Sequence, residues 1–418
     1  MKSPSWNRIN AILEATKRNS LFKLLYKIPF APSAYHYSLA LLGALIYGFP
    51  SRKIRVVGVT GTKGKTTTLE LINAGLEEAG KKTALLSSVR IKLDKKTEPN
   101  LLGNTQPGRF YAQNFIKEAV NKGCQYVLLE IGSEGVVRHR HRFIDFDRAA
   151  FVNIHPEHIE SHGSFERYRN AKLKFFRYVR GALSKKEKKF FVNQDDANAD
   201  LFIKAAGKYP VVLTTPTQKS LKMKGNFNRE NAGVAEAILR SFDIPEEQIK
   251  SAFNKFAGVP GRMEYVQEEP FAVVVDYAHT PNSLEMVYKN LKPTENKMIC
   301  VLGSAGGGRD KWKRPEMGLI ASKYCAKIIL TNEDPFDEDP LEILEEIKTG
   351  IPEEKKGKTE IVLDRGVAIK RAISLADKGD VVIITGKGSE LSIRVKSGEK
   401  IPWSDVGVVR RVLGYTKQ

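Results

Sequence analysis

Ile54-Arg-Val-Val-Gly-Val-Thr-Gly-Thr-Lys-Gly-Lys-Thr-Thr-Thr68 decides the fold. Its first half, Ile54 to Val59, is a β-branched apolar run of the kind a buried strand needs. Gly58, Gly61 and Gly64 are expected to let the backbone turn tightly and approach a ligand. Lys65 and Thr66 then open a helix that should run to about Ala79. Strand, glycine turn and helix N-terminus together make a phosphate loop. Backbone N–H groups hold phosphate oxygens, the lysine neutralises charge, and the threonine hydroxyl can reach a magnesium ion. The longer loop pattern with an additional leading glycine is not met, because Val59 stands six residues before Lys65. The compact Gly61-Thr-Lys-Gly-Lys-Thr66 form remains, and it predicts a nucleotide site. The bland alternative is a solvated glycine turn.

Around this stretch the chain alternates strand and helix. Strands are expected over Ile54–Thr60, Thr83–Ser88, Tyr126–Ile131 and Arg148–Ile154, with helices over Gly108–Lys122 and Phe165–Tyr178. That rhythm gives an α/β domain with a largely parallel sheet and helices on both faces. Ligands in such sheets sit at the carboxyl ends of the strands, where the loop, Glu130 and Asn153–His158 all fall. Gly258-Val-Pro-Gly261 marks a linker. Beyond it a second alternating set, with strands over Phe271–Tyr277, Met298–Gly303, Lys327–Thr331, Glu360–Leu363 and Val381–Thr385, reads as a Rossmann-like α/β domain. The expected organisation is a helical segment over 1–53, a central P-loop-type ATPase domain over 54–260, and a Rossmann-like domain over 261–418.

Composition sets outer limits. At 418 residues, 41% hydrophobic and 28% charged, the chain is an ordinary globular protein of two or three domains. Net charge is +20, which suits a polyanionic substrate or an anionic surface. The basic residues are scattered, so nucleic acid is not expected as a partner. Cys124, Cys300 and Cys325 are too widely spaced for a disulfide framework or a metal cluster, and they read as small core residues of a reducing cytoplasm. The first residues lack the continuous apolar region of a signal peptide. The apolar run from Tyr35 to Phe49 is too short for a confident membrane span. It is either a helix docked on the next domain or an interfacial helix at the inner membrane surface.

Ordered motifs carry the chemistry. They are Thr60-Gly-Thr-Lys-Gly-Lys-Thr-Thr67, Glu130, Asn153 to His158, Asn170-Ala-Lys172, Gly261-Arg-Met-Glu264, Asp276-Tyr-Ala-His-Thr-Pro281 and Gly386-Lys-Gly-Ser-Glu390. In this order they resemble the Mur ligases, most of all the UDP-N-acetylmuramoyl-tripeptide synthetase type. The resemblance implies an ATP-dependent amide ligase of the cytoplasm. The enzyme phosphorylates an acyl carboxylate and couples it to an amino acid, in peptidoglycan precursor synthesis.

It further implies roles for residues. Gly61, Thr62, Lys63, Gly64, Lys65, Thr66 and Thr67 would hold the ATP phosphates, with Asn153, Asn228, Asn231, Arg262, Asp276 and His279 as further nucleotide contacts. Thr66, Glu130 and His158 would ligate Mg²⁺. Lys172 matches a lysine carbamylated in the family. Asn104, Thr105, Ser133 and Arg140 would contact the acyl substrate. Glu333, Asp334, Gly386 and Glu390 would contact the amino acid. A monomer is expected.

Departures bear on the substrate. Only residues 1–53 precede the phosphate-loop strand, where these enzymes carry a uridine-nucleotide domain, so a lipid-linked muramoyl acceptor (as in the MurT type) or a poly-amino acid acceptor (polyglutamate, cyanophycin) is the alternative. In Asn332-Glu-Asp-Pro-Phe336, phenylalanine replaces the arginine that would pair with the distal carboxylate of diaminopimelate. Phe336 cannot make that bidentate contact, and Glu333 with Asp334 would suit a distal ammonium, as in L-lysine. A non-catalytic nucleotide- or nucleic-acid-binding protein is the reading from another class. It requires the metal and carbamate positions to be idle.

Overall fold

The computed structural model describes residues 28, 31–101, 108–157, 159–182, 184–185, 187–293 and 295–415. Most of the expected helical segment before residue 31, together with Asn104, Thr105 and His158, therefore lies outside the described residues. Two compact units emerge. The first comprises the chain to 154 together with 164–221 and 227–256; the second comprises 155–163, 222–226 and the chain from 257 onward.

The first unit starts with helix α1 (Ala31–Tyr47). It ends where Gly48 and Phe49 take positive φ of 68° and 49°, a left-handed reversal that cannot continue a helix. Its inner face is small, with Ala40, Gly43 and Ala44 buried. A Cβ on Gly43 would meet the Phe110 Cα at 3.5 Å, an ordinary van der Waals contact, so this face packs on Phe110.

Eight strands follow: β1 (Arg55–Thr60), β2 (Thr83–Leu86), β3 (Arg90–Leu93), β4 (Lys96–Pro99), β5 (Tyr126–Ile131), β6 (Arg148–Phe151), β7 (Lys189–Asn193) and β8 (Val211–Thr214). They form one sheet in the order β4-β3-β2-β5-β1-β6-β7-β8. Pairing is parallel from β2 to β8, and the β3 and β4 pairings are antiparallel. The longer helices are α2 (Lys65–Glu78), α3 (Arg109–Asn121), α4 (Phe165–Gly181), α5 (Ala199–Ala206), α6 (Asn226–Arg240) and α7 (Glu246–Lys255).

β1 is central, and Val56, Val57 and Val59 are fully buried. At roughly 1.5–3 kcal/mol per buried valine, this strand anchors the sheet. Gly58 does not serve the turn. It lies within β1, and a Cβ there would meet Phe175 at 2.6 Å and Phe146 at 2.8 Å. The glycine is needed for helix-to-sheet packing rather than for approach to a ligand. α4 supplies that packing with Tyr168, Ala171, Leu173, Phe175, Phe176 and Val179 buried, a helical spacing. Its N-cap Ser164 accepts the Arg167 N–H.

The second unit holds β9 (Glu264–Gln267), β10 (Ala272–Val275), β11 (Met298–Leu302), β12 (Lys327–Leu330), β13 (Thr359–Ile361) and β14 (Val381–Ile384) in the order β13-β12-β11-β14-β10-β9. Only β9 runs antiparallel to its neighbour among these pairs. β15 (Ser392–Arg394) and β16 (Lys400–Pro402) form a separate hairpin. Helices α8 (Pro281–Leu291), α9 (Lys313–Tyr324), α10 (Pro340–Lys348), α11 (Arg365–Ser374) and α12 (Asp405–Val412) complete it. Val273, Val275, Ile299, Val301, Val382 and Ile384 pack on Ala368, Ile369, Ala372, Val408 and Val409.

One bidentate ion pair ties this core together. Arg365 donates from Nε and Nη2 to the Asp405 carboxylate at 2.8 Å each, and also to the carbonyls of Thr385 and Asn332. The cysteine reading requires a correction. Cys300 on β11 and Cys325 after α9 form a disulfide, with Cα atoms 6.0 Å apart. Their separation of 25 residues is one strand-helix-strand repeat, which returns the chain beside itself; spacing alone concealed that proximity. Cysteine usage therefore says nothing here about compartment. Cys124 is buried and outside any disulfide, as a core residue should be, and its thiol donates to the Thr83 carbonyl at 3.5 Å. Among the described residues no helix is long and apolar enough to cross a membrane.

Candidate active site

In the first unit, parallel pairing of β1 with β5 and β6 brings three carboxyl-terminal segments together. The phosphate loop is built on contacts to its neighbours. Thr62 N–H donates to the Asn153 carbonyl and Lys63 N–H to Asn153 Oδ1, both at 2.9 Å. Thr62 Oγ1 shares a hydrogen bond with the Tyr168 hydroxyl at 2.9 Å. Lys172, 1% exposed, donates from Nζ to the Gly61 carbonyl at 2.7 Å. Its ammonium also lies 4.6 Å from the Tyr168 ring centroid.

Gly64 caps α2 at φ 77°. A Cβ there would fall 1.9 Å from Asn231 Oδ1, so the buried Asn231 of α6 closes over the loop. Lys65 Nζ donates to the Thr62 carbonyl at 2.9 Å and lies 3.9 Å from Glu130 Oε1.

Beside the lysine is a cluster of hard oxygen donors. Thr66 Oγ1 donates to Glu130 Oε2 at 2.9 Å and lies 3.1 Å from Ser88 Oγ. The Ser88 N–H also donates to Glu130 Oε2, at 2.8 Å. One carboxylate with two hydroxyls beside a phosphate loop suits Mg²⁺, which keeps several waters and takes few protein ligands. No group of three or more His, Cys, Asp or Glu able to hold a metal occurs among the described residues. Thr67 and Asn228 are both buried. Ser133 opens a short helix, Ser133–Val137, directly after β5. Arg140 lies beyond it, where burial and the nearby Arg138 lower its pKa.

In the second unit three sequence-distant motifs converge. The Asp276 carboxylate accepts from Met263 N–H and Ala278 N–H, at 2.7 Å each. It thereby fixes the Gly261–Met263 turn that carries Arg262, whose guanidinium lies 4.0 Å from the Tyr277 ring centroid. Gly261 has φ 65°, and a Cβ on it would fall 2.1 Å from Ser389 N. The turn thus lies directly against Gly388-Ser389. The Tyr277 hydroxyl donates to Glu390 Oε1 at 3.1 Å. His279 Nδ1 sits 2.7 Å from the Tyr277 carbonyl, and Nε2 is 3.6 Å from Glu157.

Glu333, Asp334, Gly386 and Glu390 fall in this same cluster. Lys387 reaches both Asp334 and Glu390. Asp334 Oδ1 also accepts from Arg394 N–H at 2.8 Å. Glu333 is 5% exposed, and its Oε2 has no hydrogen-bond partner. A Cβ on Gly386, at φ 107°, would fall 2.4 Å from that oxygen. Burial raises the Glu333 pKa against the pull of Lys313, Lys387 and Arg365. Phe336 takes φ 54° and packs on Gly307, where a Cβ would meet its ring at 2.7 Å.

Sequence reasoning missed several members. Ser88 was legible as the last residue of the Thr83–Ser88 run, at the carboxyl end of a strand. Tyr168 stood one helical turn before Lys172. Lys387 lay inside a quoted motif but carried no assigned role. Arg365 and Arg394 had no local signal.

Comparison with known proteins bears on the family. The Mur ligase middle domain matches residues 59–258, and the Mur ligase glutamate ligase domain matches 261–388. The UDP-N-acetylmuramyl-tripeptide synthetase of Roseiflexus sp. (strain RS-1) is 35% identical over 417 residues, covering 90% of this chain and 82% of its own length. The UDP-N-acetylmuramoyl-L-alanyl-D-glutamate--2,6-diaminopimelate ligase of Syntrophomonas wolfei is 36% identical over 382 residues, covering 84% and 77%. A solved diaminopimelate ligase of the same name superposes with a TM-score of 0.58 at 29% identity, over 86% of this chain and 78% of that one. Mycobacterium tuberculosis folylpolyglutamate synthase, complexed with ADP and AMPPCP, gives 0.69 at 14% identity over 91% and 96%, a likeness of fold. Fold and phosphate loop together define an ATP-dependent ligase. The chain belongs to the Mur ligase family.

Proposed function

We propose that this ligase joins a basic amino acid, such as L-lysine, to the terminal carboxylate of a muramoyl-dipeptide peptidoglycan precursor. The observation that carries the amino-acid choice is Glu333. Its buried carboxylate has an oxygen without a partner beside the Gly386 turn. A buried acceptor left unpaired is costly, and an alkylammonium would satisfy it. Phe336 stands where diaminopimelate recognition would need a guanidinium. Asp334 is already committed to Lys387 and Arg394, which leaves Glu333 as the principal contact.

The reaction needs two steps. An acyl carboxylate oxygen attacks the γ-phosphorus of ATP, and ADP leaves. The amine then attacks the acyl carbon, loses a proton, and phosphate leaves. Lys65 and the loop N–H groups stabilise charge on the transferring phosphoryl group. Thr66 and Glu130, with Ser88, would hold Mg²⁺. When bound, that ion would neutralise phosphate charge. Asn231 keeps Gly64 in its left-handed turn, so the N–H groups of the loop stay aimed. Lys172, buried against Gly61, is the position for a carbamate. Ser133 and Arg140 would hold the acyl substrate. In the second unit, Asp276 positions the turn that carries Arg262.

A second reading keeps the chemistry and changes the acceptor to a lipid-linked muramoyl substrate. It is favoured by α1, where Leu42, Leu45 and Ile46 are 47%, 57% and 55% exposed. Such a face on a strongly basic protein suits an anionic membrane surface.

The test is phosphate release from ATP and Mg²⁺ with a matrix of acceptors and amino acids. Release with a muramoyl dipeptide and L-lysine, at least tenfold faster than with diaminopimelate, is expected. Preference for diaminopimelate would overturn the amino-acid choice. Absence of release with every muramoyl acceptor would overturn the acceptor class.

A further inference from the structure

The sheet of the first unit ends on one side at β8, which pairs with β7 alone. The Pro210 and Thr214 carbonyls accept from the Phe190 and Gln194 N–H groups. Alternate residues of a strand turn their N–H and C=O toward opposite edges, so Val211 and Leu213 present theirs away from the sheet. The strand, Val211-Val-Leu-Thr214, carries no charge, and Val212 and Leu213 are 36% and 50% exposed. A row of open backbone groups beside exposed apolar side chains is a template for a further strand.

Along this edge lies a cavity of about 860 Å³, walled by β8, the turn from Thr215 to Ser220 and the carboxyl-terminal half of α6. The turn is pinned to the helix. A Cβ on Gly233 would fall 1.8 Å from the Thr215 carbonyl, the Thr217 N–H donates to the Arg229 carbonyl at 2.9 Å, and the Thr217 hydroxyl donates to Glu236. Among the described residues, four cations line the cavity, Lys189, Lys219, Arg240 and Lys250, against one carboxylate, Glu236. Lys219 and Arg240 share Glu236 with Glu246. Lys189 and Lys250 stand without a carboxylate partner among the described residues. A separate observation points to a ligand. Thr214 lines the cavity and is 3% exposed, yet its Oγ1 has no hydrogen-bond partner. Buried polar atoms are normally satisfied, and a polar group arriving along the strand would supply the missing partner.

We propose that this groove takes an extended acidic segment of another protein, added to the sheet as a strand beside β8. The edge supplies main-chain hydrogen bonds, and the groove between strand and helix receives side chains, as in peptide docking by strand addition. The spacing calls for a chain rather than a small anion. The outward-facing residues are two apart, about 6.6 Å along the strand, and a peptide backbone presents donors and acceptors with that repeat. Charge sets the sign of the partner. A second copy would bring a net charge of +20 to a cationic wall, whereas aspartate or glutamate side chains would meet Lys189 and Lys250. β8 is three strands from β1 in the sheet order, roughly 14 Å across the sheet. The partner is thus tethered to the nucleotide-binding unit at a place separate from the phosphate loop.

The test is fluorescence anisotropy of two labelled heptapeptides, one alternating valine with glutamate and the other valine with lysine, titrated with the full chain. The acidic peptide is expected to bind at least tenfold more tightly. Leu213→Pro removes one outward N–H at a sheet edge, where proline is tolerated, and Lys189→Glu/Lys250→Glu reverses the charge of the wall. Each variant should weaken binding of the acidic peptide at least tenfold with an unchanged melting profile. Where Leu213→Pro melts early, the acidic peptide methylated at alternate backbone nitrogens replaces it, because that peptide keeps its charge and loses its strand pairing. Absence of acidic-peptide binding, or equal binding of the two peptides, overturns the proposal. Affinity unchanged by Leu213→Pro or by methylation overturns strand addition, and affinity unchanged by the charge reversal overturns the acidic partner. A dimer in sedimentation that Leu213→Pro dissolves assigns the edge to a second copy and likewise overturns it.

Discussion

Gly64 shows how much one residue decides. Its left-handed φ costs an alanine roughly 1–2 kcal/mol, and the Asn231 amide already occupies the space a Cβ would take. Gly64→Ala is expected to lower ADP affinity at least tenfold while the melting profile keeps its shape. Calorimetric titration with ADP checks this, and unchanged affinity would remove the loop from phosphate binding. His141 makes a prediction in pH. Its folded pKa, about 3, lies below the ordinary 6.5, so the unfolded chain binds the extra proton between these values. The buried neutral ring therefore contributes stability that is full above about pH 6.5 and is lost as pH falls toward 3. At pH 5 the loss is about 2 kcal/mol. His141→Phe should abolish that increment, measured as the difference between the two proteins in urea unfolding at pH 7 and pH 5.

At the scale of elements, the Arg365–Asp405 pair links α11 to α12 inside the second core. Removing one member of a buried pair strands the other charge, at about 3–5 kcal/mol. Asp405→Ala should lower the stability of the second unit by that amount, read by denaturant unfolding; a change under 1 kcal/mol would show that the charge is satisfied elsewhere. α1 offers a different measurement. Changing Leu42, Leu45 and Ile46 to serine should reduce partition into phosphatidylglycerol vesicles severalfold, and equal partition would sink the membrane reading.

Elements also show what sequence can disclose. The buried parallel strands were legible because Val56–Val59 and Tyr126–Ile131 are apolar runs bounded by turns. The β3–β4 hairpin was not, since Lys96–Pro99 is half-charged and lies at a sheet edge. The phosphate loop, Glu130 and Asn153 could be placed by strand ends alone. Arg365 and Arg394 depend on packing that no local pattern encodes.

On the scale of the whole molecule, two units with separate cores should unfold in separable steps. Calorimetry is expected to show two transitions. ADP at a hundred times its Kd should stabilise the one containing the phosphate loop by about 2.7 kcal/mol. A single transition, shifted as one, would contradict independent cores. The net charge of +20 makes substrate capture sensitive to salt, since exposed charges are screened beyond about 8 Å at physiological ionic strength.

The place of β1 in its sheet has a consequence for how the protein is made. β1 is hydrogen-bonded on both sides by strands made much later. The Thr60 hydroxyl donates to the Ile131 carbonyl, 71 residues on, and the Val56 N–H donates to the Asp147 carboxylate, 91 residues on. At about 5–20 residues per second, the nascent chain carries an apolar, unpaired Val56–Val59 for several seconds before either neighbour exists. The strand that leads into the phosphate loop is thus open to misassociation during synthesis, and slower translation over residues 60–151 is expected to lower the soluble yield.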